Sequence, residues 1–249
     1  MDATAPAASL EPLTEDFSSV LCVVAHPDDI EYGTAAAVAR WTAAGVTVTY
    51  FLLTRGEAGI DTMSPAEAGP VREAEERASA AVVGVDEVDF GDHRDGMVEY
   101  GLTLRRDIAR EIRRRRPELV ITGDYGTRFE GWLNQADHRA VGLACADAVA
   151  DAGNRWIFPE LVDEGFEPWH VGLLAFTGTM TPTHYVDVSD HVDVAVASLE
   201  AHTAYNSALP DTFPKPDQLV PMILEEGAKK VGAHGVSHAL VLDVVNRRG

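Results

Sequence analysis

Val20-Leu21-Cys22-Val23-Val24 runs without interruption into Ala25-His26-Pro27-Asp28-Asp29-Ile30-Glu31. An unbroken apolar run reads as a parallel strand buried on both faces, because a strand with one wet face alternates apolar and polar residues. Four groups able to bind or move protons, His26, Asp28, Asp29 and Glu31, then fall at the strand's carboxyl end. In open α/β sheets, ligands bind in the crevice beyond those ends. One stretch therefore predicts both a fold and the place of a site.

Working outward, Val46 to Leu53, Val88-Asp89-Phe90 and Leu119-Val120-Ile121-Thr122 read as three further strands. Helical segments are expected near Tyr32 to Ala44, Pro65 to Val83, Leu102 to Arg115 and Asp137 to Asp151. Strand and helix thus alternate from residue 19 to 151, the pattern of an α/β protein with a Rossmann-like, doubly wound, mostly parallel sheet. At 249 residues and 46% hydrophobic content, one large domain over residues 19–249 is expected. Residues 1–18 begin Ala/Pro-rich, without a basic segment leading into an apolar core, and read as a flexible N-terminal arm and not a signal peptide. A cytoplasmic protein is the resulting expectation. Beyond Trp156, stretches around Phe158-Pro159, Phe166-Glu167-Pro168-Trp169 and Phe213-Pro214-Lys215-Pro216 break the simple alternation and are expected to shape a pocket.

The formal net charge of -20, from 40 acidic against 20 basic residues, opposes binding to nucleic acid or anionic membranes. Arg113-Arg114-Arg115-Arg116 closes a segment in which Leu104, Ile108 and Ile112 repeat at helical spacing, so it reads as a solvated helix terminus or an intersubunit patch. Cys22 and Cys145 fall within a predicted strand and a predicted helix and read as small core residues. The turn after the first strand carries no G-x-G-x-x-G, which argues against a dinucleotide site.

Carboxylates beside an imidazole point to a divalent metal, since imidazole nitrogen and carboxylate oxygen are its usual non-thiolate ligands. The rest of such a set appears in Asn134-Gln135-Ala136-Asp137-His138-Arg139, at the start of a helical segment. His138 can complete a facial His/Asp/His arrangement, while Asp137 reads as a helix cap.

The segments Ala25 to Glu31, Thr54-Arg55-Gly56-Glu57-Ala58-Gly59 and Ala136-Asp137-His138-Arg139-Ala140-Val141-Gly142 together resemble the PIG-L/LmbE-like family of zinc-dependent N-acetylglucosaminyl deacetylases. The resemblance implies His26, Asp29 and His138 as ligands of Zn2+, with Fe2+ as the other candidate ion, and Asp28 as general base. It also implies a small N-acyl amino sugar as substrate, acted on by an N-deacetylase, and self-association into a homo-oligomer. The alternative is an amidase of a thiol-sugar conjugate or a secondary-metabolite intermediate. One departure keeps it open: many members carry a His three residues before the second ligand His, where this chain has Gln135. An amide can donate a hydrogen bond to an oxyanion but carries no charge.

Four more residues are candidates for substrate contact. Arg55 follows the second strand, and either grips substrate or orders its loop with Glu57. Asp95, in His93-Arg94-Asp95-Gly96, resembles an Arg-Asp-Gly element of the family and either supports the site loop or touches substrate. Trp132 either stacks on a sugar or packs its loop. His202, expected on a helix from Asp190 to about Asn206, resembles a C-terminal family element and either reaches the site or packs within the helix. His234 and His238 have the spacing of a helical metal pair, but Gly235 between them weakens any helix, and no second metal is expected.

Overall fold

Alternate residues of the first apolar run enter different cores. In the computed structural model, which describes residues 9–129 and 132–248 and only the backbone of Phe129 and Trp132, the run forms β2 (Ser19–Val24), preceded by the short β1 (Glu11–Pro12). Val20, Cys22 and Val24 pack on one face of the sheet, Leu21 and Val23 on the other. Strand side chains alternate with period two, so a strand apolar at every position needs a core on both sides.

The chain continues through α1 (Thr34–Ala43), β3 (Thr47–Leu52), α2 (Pro65–Val82), β4 (Glu87–Phe90), α3 (Leu102–Arg115) and β5 (Leu119–Gly123). A small hairpin, β6 (Arg128–Phe129) with β7 (Trp132–Leu133), then leads into α4 (Ala136–Ala152) and α5 (Glu160–Asp163). The last part holds β8 (Leu173–Thr177), β9 (His184–Asp187), α6 (Val192–Glu200), α7 (Thr203–Ala208), α8 (Pro216–Val231) and β10 (Ala239–Asn246). The main sheet has the order β1-β9-β10-β8-β5-β2-β3-β4. From β8 to β4 every pairing is parallel, and β10 pairs antiparallel with both β8 and β9. This is the mostly parallel, doubly wound sheet expected from the alternation.

Helices cover both faces. On one, Ala36, Trp41, Leu199, Val220 and Leu224 close over β2 and β3; on the other, Leu104, Ile108 and Ile112 of α3 meet Val141, Cys145 and Val149 of α4. Because β2 is flanked by β3 on one side and β5 on the other, the connections leave it in opposite directions. A crevice opens at that switch point, beyond the carboxyl ends of β2 and β5. The loop after β2 and the start of α4 border it.

Three expectations are corrected. From Glu11 onward the N-terminal segment is packed: Glu11 and Pro12 pair with His184 and Tyr185, Leu13 and Phe17 are buried, and Glu15 accepts a hydrogen bond from the Trp41 indole. The arm's first eight residues lie outside the described residues. Arg113 is not solvated; it is buried and donates to the carbonyls of Asp151, Ala152, Asn154 and Ile157 at the end of α4, while Arg115 pairs with Glu87 and Glu111. The expected helix through His202 is broken into α6 and α7. Among the described residues no helix is long and apolar enough to cross a membrane.

Candidate metal centre and active site

His26, Asp28 and Asp29 leave the end of β2 in a tight turn, and His138 projects from the first turn of α4. All four line one cavity of about 250 Å³, with Tyr32, Arg72, Asp95, Gln135, Tyr205 and Phe213. Asp29 lies between the two imidazoles, its Oδ1 3.0 Å from His138 Nε2 and its Oδ2 3.6 Å from His26 Nδ1. Oδ2 also accepts the backbone N–H groups of Ala25 and His26, at 3.0 and 2.9 Å, which fixes the carboxylate plane. The ligand atoms of His26, Asp29 and His138 all lie within 4.8 Å of one another. Donors bonded to a tetrahedral zinc at ~2.0–2.2 Å stand roughly 3.4 Å apart, so the present spacings fit such an ion.

The contacts on the far side of the His26 ring set which nitrogen faces Asp29. Nε2 is 3.1 Å from Asp95 Oδ1 and 3.3 Å from Asp137 Oδ2, leaving Nδ1 toward Asp29. Asp137 in turn accepts the N–H groups of Gly96 and Val98, at 2.7 and 3.2 Å, and Asp95 accepts that of Ala58 at 2.8 Å. A carboxylate behind a ligand imidazole fixes its tautomer and orientation and raises its basicity. Asp137, expected as a cap of its own helix, is instead the link between α4, the 95–98 loop and His26. Asp137→Asn is expected to weaken metal affinity by ~10–100-fold with the fold retained, as read by competition with a chromogenic chelator; unchanged affinity would remove Asp137 from the support of the site.

The field here suits a cation. Burial disfavours a charged imidazole, yet Asp29, Asp137 and Asp95 outweigh it and push His26 up to about 12. Burial likewise opposes ionisation of Asp29, but His138 and His26 hold it well below the usual carboxylate range.

Asp28 stands apart from the ligand set. Its Oδ1 is 2.9 Å from Arg72 Nη2, its Oδ2 accepts the Tyr32 hydroxyl at 3.1 Å, and its backbone is left-handed, with φ at 93°. A non-glycine residue in a sparsely populated backbone region costs ~1–3 kcal/mol and persists only where its surroundings over-determine it. Burial raises the Asp28 carboxyl to about 6, Arg72 and His26 opposing the rise. Arg72 is itself buried, donates to the carbonyls of Gly56 and Pro27, and lies 3.9 Å over the Tyr205 ring. Gly56, at φ 60°, and Gly59 give it passage: a Cβ on either would stand 2.3 or 2.4 Å from Arg72 Nη1.

The other candidates separate. Asp95 lines the cavity while supporting His26, and Gln135, the N-cap of α4, lines it without making a side-chain capping bond. Arg55 follows its loop-ordering alternative: it lies outside the cavity wall, held by Glu73, Asp92 and the Gly91 carbonyl. His202 follows its packing alternative. It is fully buried behind the site, 3.7 Å from Glu76 and 3.9 Å from Glu31, and does not line the cavity. The Trp132 side chain lies outside the described residues. Of the expected aromatic walls only Phe213 reaches the cavity; Phe158, Phe166 and Trp169 pack against the α3/α4 core. Arg72, Tyr32 and Tyr205 escaped the sequence reading. A signal existed: Arg72, Glu76 and Ser79 recur at i, i+4 and i+7, one face of α2.

The family model described as PIG-L, GlcNAc-PI de-N-acetylase, matches residues 21–149, the stretch that carries His26, Asp28, Asp29 and His138. The chain belongs to the PIG-L family. Among PIG-L relatives it is 31% identical to the diacetylchitobiose deacetylase of Thermococcus kodakarensis over 189 residues, 75% of this chain and 70% of that protein. It is 29% identical to a 1D-myo-inositol 2-acetamido-2-deoxy-alpha-D-glucopyranoside deacetylase of Actinosynnema mirum, over 74% of this chain and 79% of the relative. Its fold is that of the inhibitor-bound N,N'-diacetylchitobiose deacetylase of Pyrococcus horikoshii, with a TM-score of 0.82 and 24% identity over 93% of this chain and 85% of that one.

Proposed function

We propose that this PIG-L protein is a metal-dependent amide hydrolase that removes the acetyl group from an N-acetylated amino sugar or small glycoconjugate. The observation that carries the reading is one carboxylate, Asp28, held off the His26/Asp29/His138 ligand set yet lining the same cavity. Relatives named as deacetylases of chitobiose and of a glucosamine-inositol conjugate support the substrate class.

We assign zinc as the resident ion; two imidazoles and one carboxylate leave a position open for water, a donor set that iron(II) shares. Bound there, the ion lowers the pKa of water to about 7 and polarises the amide carbonyl. Asp28 takes a proton from the attacking water and returns it to the leaving amine nitrogen. Arg72 and Tyr32 keep its two oxygens fixed, so the base does not drift toward the ligand set. Gln135, at the cavity edge, offers an amide N–H to the oxygen that gains charge. Tyr205 and Phe213 give apolar surface for a sugar face. We read the protein as a cytoplasmic enzyme of small molecules; separately, its net charge of -20 disfavours nucleic acid and anionic lipid as partners.

The test is acetate release from a panel of N-acetylglucosamine conjugates by zinc-loaded protein. Zinc-dependent release from at least one is expected. No release by protein that holds zinc would sink the acetyl-sugar assignment and direct the search to other amides.

A further inference from the structure

Asp28 and Asp29 are neighbours in sequence, yet both carboxylates line one cavity and take different work. Adjacent residues of a strand face opposite sides, and those of a helix diverge. The left-handed backbone at Asp28 turns the chain so that both acids face inward. Something must hold that conformation, and the local chain supplies only part: the Asp28 carbonyl accepts the Glu31 N–H at 3.1 Å. The Asp28 N–H is claimed from another element. It donates to Glu76 Oε2, on α2, at 3.2 Å.

Glu76 is fully buried, as are Glu31 and His202 beside it. The three offer ligand atoms within 4.8 Å of one another, and Glu76 Oε1, Glu31 Oε2 and both His202 ring nitrogens have no hydrogen-bond partner. Ser79 donates to Glu31 Oε1 at 2.7 Å and lies 2.6 Å from the Ser198 hydroxyl of α6. Glu75, one residue before Glu76, accepts the Thr203 hydroxyl and the N–H groups of Ala204 and Tyr205 at the start of α7. The buried polar face of α2 therefore reaches three ways: Arg72 to the Asp28 carboxylate, Glu76 to the Asp28 amide, Glu75 to the helix that carries Tyr205. A buried carboxylate on a helix that needed only packing is unfavourable, so it calls for a use.

We propose that Glu76 is a positioning residue for the base, which accepts the Asp28 N–H and so holds the left-handed turn that separates the base from the neighbouring metal ligand. This rests on the hydrolase reading above. A mispositioning near 1 Å at a reacting group costs rate far more than binding.

The test compares Glu76→Met, which fills the space without an acceptor, with Glu76→Gln, which removes the ionisable carboxyl but keeps an acceptor oxygen at the same reach. Both are made in the full chain, loaded with zinc and assayed for acetate release from a conjugate the parent enzyme turns over. Glu76→Met is expected to lower kcat by ~10–100-fold with KM little changed. Zinc content should stay at the parent level, and Glu76→Gln should recover most of the rate. Equal losses in both variants, or an unchanged kcat in Glu76→Met, overturn the proposal. So does a parent protein that holds a second ion which Glu76→Met loses, since the cluster is then a metal site. If Met unfolds the chain, Glu76→Ala against Glu76→Gln makes the same comparison. A crystal structure of the acceptor-less variant reads the backbone directly: Asp28 should leave positive φ, and an unchanged φ refutes the claim. That readout stands even if the parent enzyme releases no acetate, an outcome that counts against the hydrolase reading alone.

Discussion

Asp28→Asn is expected to lower kcat for acetate release by ~10²–10⁴-fold, the range that a positioned acid-base group contributes. The variant keeps the shape of the side chain, and its amide oxygen can still accept from Arg72, which lies 2.9 Å from the present carboxylate. What disappears is the ability to take a proton from water and return it to the amine. Metal content should be unchanged, because Asp28 is outside the His26, Asp29 and His138 set. Stability should fall, since breaking a buried ion pair from one side costs up to ~3–5 kcal/mol. The fall should come below that figure, because Arg72 keeps the carbonyls of Pro27 and Gly56. Steady-state kinetics, zinc content and a thermal melt on one preparation separate these effects. A kcat within a few-fold of the parent, with zinc in place, means that another group moves the proton.

The four strands β2 to β5 were legible for two reasons: β2 and β5 are apolar at nearly every position, while β3 and β4, which carry Thr47, Thr49, Glu87 and Asp89, are marked by their alternation with helices. Leu102 to Arg115 is a helix with the expected bounds, as Leu104, Ile108 and Ile112 mark its inner face and Pro117 stops it. That His26, Asp29 and His138 would meet was legible for a related reason, since the loop after β2 and the start of the helix that follows β5 are brought together by neighbouring parallel strands. Features set by tertiary burial were not. Arg55, at a strand end, drew attention that belonged to Arg72, which lies in the strongly charged run Arg72-Glu73-Ala74-Glu75-Glu76-Arg77 and looks like part of a solvated face. Burial of that face depends on α6 and α7 folding back over α2 with Ser198, Thr203 and Tyr205. No local periodicity announces such a return. His202 failed likewise: Val192 to Asn206 has helical composition throughout, but the chain breaks after Glu200 so that Glu75 can cap the second piece.

Stripping the metal with a chelator is expected to abolish acetate release, and added zinc to restore it in the parent protein but not in Asp29→Ala. The asymmetry follows from where Asp29 sits. It is the one residue of the set that faces both imidazoles, at 3.0 and 3.6 Å, and its Oδ2 also gathers the Ala25 and His26 amides. Alanine there removes a metal donor and the acceptor that shapes the turn after β2, whereas loss of His138 would leave that turn intact. The loss in rate should exceed that of Asp28→Asn, because the ion would both acidify the water and polarise the carbonyl, and the uncharged Gln135 amide offers the carbonyl oxygen only a hydrogen bond. Zinc at a hundred times its dissociation constant should stabilise the parent by ~2.7 kcal/mol, a melting shift of roughly 5–10 °C for a domain of this size. Asp29→Ala should show no such shift. A variant that still melts higher with zinc and holds the parent's metal content would move the ligand role from Asp29 to the other carboxylates around His26, Asp95 and Asp137, whose oxygens already lie 3.1 and 3.3 Å from its second nitrogen.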